Sequence, residues 1–274
     1  MDSDSPAALA RLYDLDLAVD PVGPGDLELY LALAARTDRP IVELAAGTGR
    51  VAVPLAEAGH QVTGVDLDPA MLARARARAG AAGEGTTARL RLVEGDLFAA
   101  RPGEAGTYGL AILALNSILL LGGPREQRQA IGVLAGLLAP GGIAVVDAWQ
   151  PLAEDLARFD GRVSLEWLRR DPGTGRDVVK LAAAWYDGAT RAVTLTTIFD
   201  EAGPGESPAR WTRVDALRLI SADELGAAAE DAGLNVEVVA GDYDLTPLWP
   251  GADRAILVAR RPEGTGAPRT AARD

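Results

Sequence analysis

The chain has no cysteine, one histidine, two methionines and three phenylalanines among its 274 residues. Without cysteine there is no disulfide, no thiolate nucleophile and no thiolate-bound metal, and the lone His60 excludes a site built from several histidines. Basic residues are also scarce: 27 Lys and Arg stand against 39 Asp and Glu, a net charge of −12. Phosphate contacts need clustered Lys or Arg, so a nucleic-acid partner is not expected. No apolar run approaches the ~18 to 20 residues of a membrane span, so no membrane partner is expected either. Met1 to Pro6 is acidic and polar, without the basic and apolar regions of a secretory signal, and the expectation is a soluble cytoplasmic protein. The acidic residues show no recognisable ligand spacing, and no metal is expected.

What is present is organised around Ile41 to Arg50, Ile-Val-Glu-Leu-Ala-Ala-Gly-Thr-Gly-Arg. Ile41, Val42 and Leu44 are apolar toward both faces, as in a central strand of a parallel sheet covered by helices on each side. Gly47 and Gly49 allow a tight turn and a close approach of ligand to main chain. Arg50 to Gly59 reads as the following helix, with Pro54 near its first turn. Gly47, Gly49 and Ala52 also satisfy the G-x-G-x-x-[G/A] fingerprint, so the loop alone does not separate nicotinamide enzymes from other nucleotide binders. Glu43 separates them. A carboxylate at the strand's carboxyl end would repel a pyrophosphate and hold a cationic amino or sulfonium group.

Along the chain, Leu9 to Val19 predicts a short helix, a turn follows at Pro21 to Gly25, and Asp26 to Thr37 has helical periodicity. Gln61 to Val65 is strand two, ending at Asp66; Asp68 caps a helix with Pro69 at its first position. Ala88 to Val93 alternates as strand three before Glu94-Gly95-Asp96-Leu97. Gly109 to Leu115 is strand four, ending at Asn116-Ser117; Pro124 to Ala139 is a helix, stopped by Pro140-Gly141-Gly142, and Ile143 to Val146 starts strand five. Strands alternating with helices imply a doubly wound α/β sheet, with ligands beyond the strands' carboxyl ends. From Arg162 the period changes to two, through Trp167, Leu181, Leu195 and Trp211, with turns at Asp171-Pro172-Gly173, Asp187-Gly188 and Gly203-Pro204-Gly205; this is an antiparallel meander added to the core. Ser221 to Gly233 is a helix with the capping box Ser221-x-x-Glu224. Asn235 to Val239 and Arg254 to Ala259 are the last strands, and 263–274 reads as a disordered tail.

Glu43, Asp66, Asp96 and Asn116 end consecutive strands, so the fold gathers them around one crevice. Asp66 is placed to accept ribose hydroxyls, and Asp96 with the N–H of Leu97 to read an adenine. The order Glu43-Leu44-Ala45-Ala46-Gly47-Thr48-Gly49, Val65-Asp66-Leu67-Asp68-x-x-Met71-Leu72, Glu94-Gly95-Asp96-Leu97 and Pro140-Gly141-Gly142 resembles the class I S-adenosylmethionine-dependent methyltransferases. The resemblance covers roughly Leu9 to Ala148 and Leu219 to Pro262. It implies a Rossmann-like seven-stranded sheet whose last strand is antiparallel, and S-adenosyl-L-methionine as cofactor. Glu43 and main chain near Asn116 would serve the methionine amino group, Gly47 and Gly49 would line the cofactor, Asp66 would hold the ribose, and Asp96 with Leu97 the adenine. Tyr13, Ala45, Thr48, Arg50, Leu67, Met71 and Ser117 complete the expected cofactor set, Arg50 either reaching a cofactor carboxylate or facing solvent. The family's first loop glycine is Ala45 here, for which ordinary negative φ is expected.

The resemblance makes the expected reaction methyl transfer to a small molecule, N-transfer ahead of O-transfer because no histidine base reaches the crevice; His60 lies at the opposite edge of the sheet. Tyr13 and Tyr243 are the candidate catalytic side chains. Tyr13, with Asp14, lies on an N-terminal helix that folds over the cofactor in this family, against plain packing on Leu12 or Leu15; Tyr243, with Asp244 and Trp249, lies in the loop after strand six. Trp149 is a further pocket candidate; Trp167, Trp185 and Trp211 read as core or surface of the meander, and Asp147 and Glu94 as solvated or capping groups. The alternatives are an NAD(P)-dependent oxidoreductase and a cofactor-binding protein without methyl transfer. The organisation expected is a core with a lid helix over 1–150, an acceptor platform or lid over 151–219, the end of the core over 220–262 and the tail; a homodimer is kept open.

Overall fold

The computed structural model describes residues 6–17, 26–205 and 207–263. The predicted turn at Pro21 to Gly25 and nearly all of the predicted tail lie outside these residues. The chain starts with helices α1 (Pro6–Leu17) and α2 (Asp26–Ala34). It continues as β1 (Ile41–Leu44), α3 (Ala52–Glu57), β2 (Val62–Asp66), α4 (Pro69–Ala82), α5 (Glu84–Arg89), β3 (Leu90–Glu94), β4 (Tyr108–Leu113), α6 (Pro124–Leu137) and β5 (Leu138–Trp149). After α7 (Ala153–Arg158) come β6 (Asp160–Arg170), β7 (Asp177–Asp187), β8 (Ala192–Ala202) and β9 (Ala209–Arg218); then α8 (Ala222–Asp231), β10 (Asn235–Ala240) and β11 (Arg254–Arg260).

Seven strands form one sheet in the order β10-β11-β5-β4-β1-β2-β3. Neighbours from β5 to β3 are parallel, and β11 runs antiparallel to β5 and to β10. Alternate residues of the central strands feed two cores. Val42, Leu44, Leu113 and Val146 pack with α6 and α8 on one face; Ile41, Ile112, Val145 and Ile256 pack with α2 and α3 on the other. The chain order reverses between β1 and β4, and at that point the carboxyl ends leave a crevice. The expected caps form: Asp68 accepts from the Ala70 N–H with Pro69 following, and Ser221 and Glu224 cap α8 reciprocally.

The meander is a separate four-stranded antiparallel sheet, β6-β7-β8-β9. Helix α1 lies across one end of one of its faces, where Leu12 and Leu15 meet Val178, Phe199 and Trp211. Arg11 pairs with the buried carboxylates of Asp171 and Glu201, while Asp16 accepts from Lys180 Nζ at 2.7 Å and from Trp167 Nε1 at 2.8 Å.

Several local expectations are corrected. Ala88 and Arg89 close α5 instead of opening strand three, because the turn at Gly83 starts a helix that buries Thr86. The helix after the glycine loop begins at Ala52, since residues 47–51 are spent on the turn. Strand five begins at Leu138, its glycines taken up by a register shift against β4, and α7 was not anticipated.

Candidate cofactor and acceptor site

Glu43 is the buried centre of the crevice. It is 3 % exposed, and its Oε2 has no hydrogen-bond partner among the described residues. Burial raises its pKa to about 8, against the opposing pull of Arg50 and of the Ala52 backbone N–H. A lone buried carboxylate is costly unless a cation meets it, so the strand end is complementary to an ammonium supplied from outside the chain. Arg50 lies within electrostatic reach of Glu43 and forms an ion pair with Asp26 at the start of α2, N–O 2.6 Å.

The loop after β1 contains three left-handed residues, Ala45 at φ 56°, Gly47 at 55° and Gly49 at 75°. The negative φ expected at Ala45 is therefore wrong. The turn dictates this backbone whichever side chain stands there, and the methyl group bears strain of about 1 kcal/mol. The glycines act differently. A Cβ on Gly47 would enter open space, whereas one on Gly49 would stand 2.8 Å from Val53 Cγ2 and 3.0 Å from Ala75 Cβ. Gly49 lets α3 and α4 approach; Gly47 faces the crevice.

Asp66 ties this loop to β2. One oxygen accepts from the Gly47 N–H at 2.7 Å and the other from the Asp68 N–H at 2.9 Å. Each keeps a second lone pair, so a vicinal diol is still accommodated. Asp96 is exposed, and one of its oxygens accepts from the Phe98 N–H, shaping the loop that carries Leu97. Leu67 is 70 % exposed at the end of β2, with Met71 half-buried on α4. An apolar side chain that exposed beside an anchored carboxylate fits the flat apolar part of a nucleoside. Leu115 and Asn116 are both left-handed, at φ 50° and 63°, and the Asn116 amide oxygen accepts from the Trp149 N–H at 2.6 Å. The Ser117 hydroxyl is taken by the Ala114 carbonyl.

Thr48 is buried and donates to Asp14 Oδ1 at 2.6 Å. Asp14 also accepts from Arg74 and Arg78 of α4, at 2.5 and 3.0 Å. Helix α1 is thus fastened to the glycine loop by one side chain and to the four-stranded sheet by its neighbours. Tyr13 is half-buried among the charges of Arg50, Glu43, Arg213 and Asp14. Burial holds its phenol above the ordinary pKa, so it is a proton donor, not a base.

Tyr243 and Asp147 depart from expectation together. Asp147 is fully buried, not solvated; it accepts from the Tyr243 hydroxyl and from Arg254, both at 2.8 Å. The Tyr243 proton is committed to that carboxylate, and burial with the Asp147 charge raises its pKa. Tyr30 stands near these groups, wholly buried, with a hydroxyl that has no hydrogen-bond partner among the described residues.

Beside the crevice, Lys180, Ala182, Ala184, Leu195 and Thr197 of the four-stranded sheet face α7 across a cavity of about 730 Å³. Thr197 is the cross-strand neighbour of Arg213, which lies within electrostatic reach of Tyr13. Trp167 and Trp211 are in the core under α1, Trp185 is exposed, and Trp149 packs on Phe159 beside the cavity. His60 lies before β2, at the sheet's amino edge. Sequence reading missed Asp26, Tyr30 and Arg254, whose spacing carries no motif; the pair Arg74 and Arg78, one helical turn apart, was visible but had no known target.

Residues 41–142 match the family model described as "Methyltransferase domain". An uncharacterised protein of Mycobacterium tuberculosis is 39% identical over 131 residues, 48% of this chain and 43% of that one, so the match spans less than half of that relative. The cypemycin N-terminal methyltransferase of a Streptomyces species is 26% identical over 91% of this chain and 94% of its own. Among solved structures, the CcbJ methyltransferase of Streptomyces caelestis superposes with a TM-score of 0.73 at 27% identity, covering 87% of this chain and 96% of that one.

Proposed function

We propose that this chain, which belongs to the class I S-adenosylmethionine-dependent methyltransferases, binds S-adenosyl-L-methionine in the crevice and methylates a nitrogen of a small molecule. The observation that carries the reading is the buried, unpartnered Oε2 of Glu43 beside a glycine that opens onto free space. A dinucleotide would put phosphate against that carboxylate, which weighs against a nicotinamide enzyme. When bound, the cofactor would supply a methyl group on a cationic sulfur: the lone pair of an acceptor nitrogen would form the new N–C bond, the S–C electron pair would stay on sulfur, and the resulting ammonium would release its proton to solvent. Glu43 would hold the amino group, Asp66 the ribose, and the Asp96 to Leu97 loop the adenine.

The protein's contribution is mainly alignment and exclusion of water. Helix α1 brings Tyr13 over Glu43, and residues 151–219 act as the acceptor platform, the 730 Å³ cavity being its chamber. The phenols of Tyr13 and Tyr243 are both held protonated, and Tyr243 already gives its proton to Asp147. Deprotonating a hydroxyl acceptor would need a base that these groups do not provide, whereas a neutral amine needs none; the cypemycin relative, named for an N-terminal reaction, supports the same choice. We read the protein as acting in the cytoplasm.

The test is calorimetry of S-adenosylhomocysteine against NADH, followed by mass spectrometry with isotope-labelled cofactor and paired amine and alcohol acceptors. The expected result is binding of the former only, with label on amines. Tighter binding of NADH overturns the cofactor, and label on alcohols alone overturns N-transfer.

A further inference from the structure

Gln127 occupies a position on α6 where its buried neighbours, Ala130, Ile131 and Leu134 among them, are apolar. It is 0 % exposed. A buried amide is tolerated only when its hydrogens and its oxygen find partners, and here they do so on two different elements. Nε2 donates to the Ile118 carbonyl at 3.1 Å and to the Arg218 carbonyl at 2.8 Å, while Oε1 accepts from Arg218 Nη1 at 2.9 Å. Ile118 belongs to a single turn of 3-10 helix, Ser117–Leu120, that packs against β9, and Arg218 is the last residue of β9. Arg218 is pinned in turn by Glu224 of α8, N–O 2.5 Å.

The turn that Gln127 grips follows directly on the end of β4. Leu115 and Asn116 are consecutive left-handed residues, neither of them glycine, a backbone that persists only where its surroundings over-determine it. The Leu119 N–H donates to the Asn116 carbonyl at 2.8 Å; the Asn116 N–H donates to the Asp147 carbonyl at 3.2 Å, and its side-chain oxygen accepts from the Trp149 N–H, tying the turn to β5. We propose that Gln127 is a positioning residue for the methyl transfer, holding this turn and the last strand of the four-stranded sheet in one fixed relation so that filling the crevice is transmitted to the acceptor wall. The proposal rests on the methyltransferase reading, in which main chain near Asn116 serves the cofactor's amino group, and adds to it a route between cofactor and acceptor. β9 carries the route onward, since its Arg213 is the cross-strand neighbour of Thr197, which lines the chamber. A buried network whose members are all satisfied specifies one arrangement, so a shift at one end displaces the other. A methionine in place of Gln127 would fill the space without the link.

Hydrogen exchange on the full chain, with and without S-adenosylhomocysteine, tests this in the wild type and in Gln127→Met. In the wild type the ligand is expected to slow exchange at residues 115–120 and, by at least ~fivefold, at the Arg218 end of β9. In Gln127→Met the response at 115–120 should remain while the response in β9 falls below about twofold. A merely structural Gln127 would speed β9 exchange equally in free and bound protein, and that unchanged ratio overturns the proposal. Should the variant fail to fold, the wild type alone decides: protection strongest at the Arg218 end of β9 supports the route through Gln127, whereas protection centred beneath α1, at Val178, Phe199 and Trp211, overturns it. Calorimetry separates the two readings. A wild type that binds no S-adenosylhomocysteine overturns the methyltransferase reading and the inference together; one that binds it without a response in β9 overturns the inference alone.

Discussion

The seven-stranded sheet is covered on both faces, and at its carboxyl edge it keeps the buried carboxyl of Glu43, whose Oε2 has no hydrogen-bond partner among the described residues. The four-stranded sheet is covered on part of one face, and its carboxylates are matched: Asp171 and Glu201 with Arg11, Asp200 with Arg210, Asp215 with Arg213. In the first sheet the apolar groups are covered and a carboxyl waits; in the second these carboxylates are paired and the apolar groups wait. A buried carboxyl without a partner suits a small cationic ligand that draws out its charged form, and a bare apolar face suits an apolar surface.

The largest way to break this comparison is at the polar edge's internal support. Asp147→Ala would strand Arg254, 16 % exposed, without its carboxylate, and a loss of about 3 to 5 kcal/mol in urea unfolding is expected. A loss under ~1 kcal/mol would mean the pair is solvated and the edge less enclosed than described. Glu43 should behave in the opposite sense. Because its folded-state pKa of about 8 lies above the ordinary carboxylate value, the free protein loses stability as pH rises through that interval, while affinity for an ammonium-bearing ligand climbs over the same interval and levels off above it. Calorimetry should show S-adenosylhomocysteine binding at least ~10-fold weaker at pH 6 than at pH 8.5, with proton release at the lower pH. Affinity that ignores pH would remove the carboxylate from the site.

How legible was each sheet? The cofactor edge could be read because motif order, strand ends and Gly47 are local properties, and a parallel sheet converts consecutive strand ends into one locus. Asp147 could not, since its partners lie 96 and 107 residues away and a carboxylate after a strand looks the same whether buried or not. Ala45 was misread because the residue was judged by its side chain, although the turn fixes the backbone. The four-stranded sheet announced itself by period two. Which of its faces is bare depends on the bulges in β6 between Asp160 and Val163 and between Leu165 and Trp167, and these leave no sequence signal.

Two smaller effects sharpen the contrast. Asp14→Ala removes the link between α1 and the glycine loop, and is expected to weaken S-adenosylhomocysteine about tenfold while leaving the helix docked through Arg11 and Asp16; hydrogen exchange of α1 would report the docking. Ala45→Gly should add about 1 kcal/mol of stability by relieving the left-handed methyl, read as a raised Tm with unchanged cofactor affinity. A fall in Tm would mean that the loop is not strained there.

The most direct measurement compares S-adenosylhomocysteine with methylthioadenosine, which lacks the amino-acid end, on wild type and on Glu43→Gln by calorimetry. The expectation is that wild type prefers the former by at least ~30-fold and that the variant loses most of that preference while gaining thermal stability. An undiminished preference in Glu43→Gln would contradict the claim that this buried carboxylate is reserved for the cofactor's ammonium.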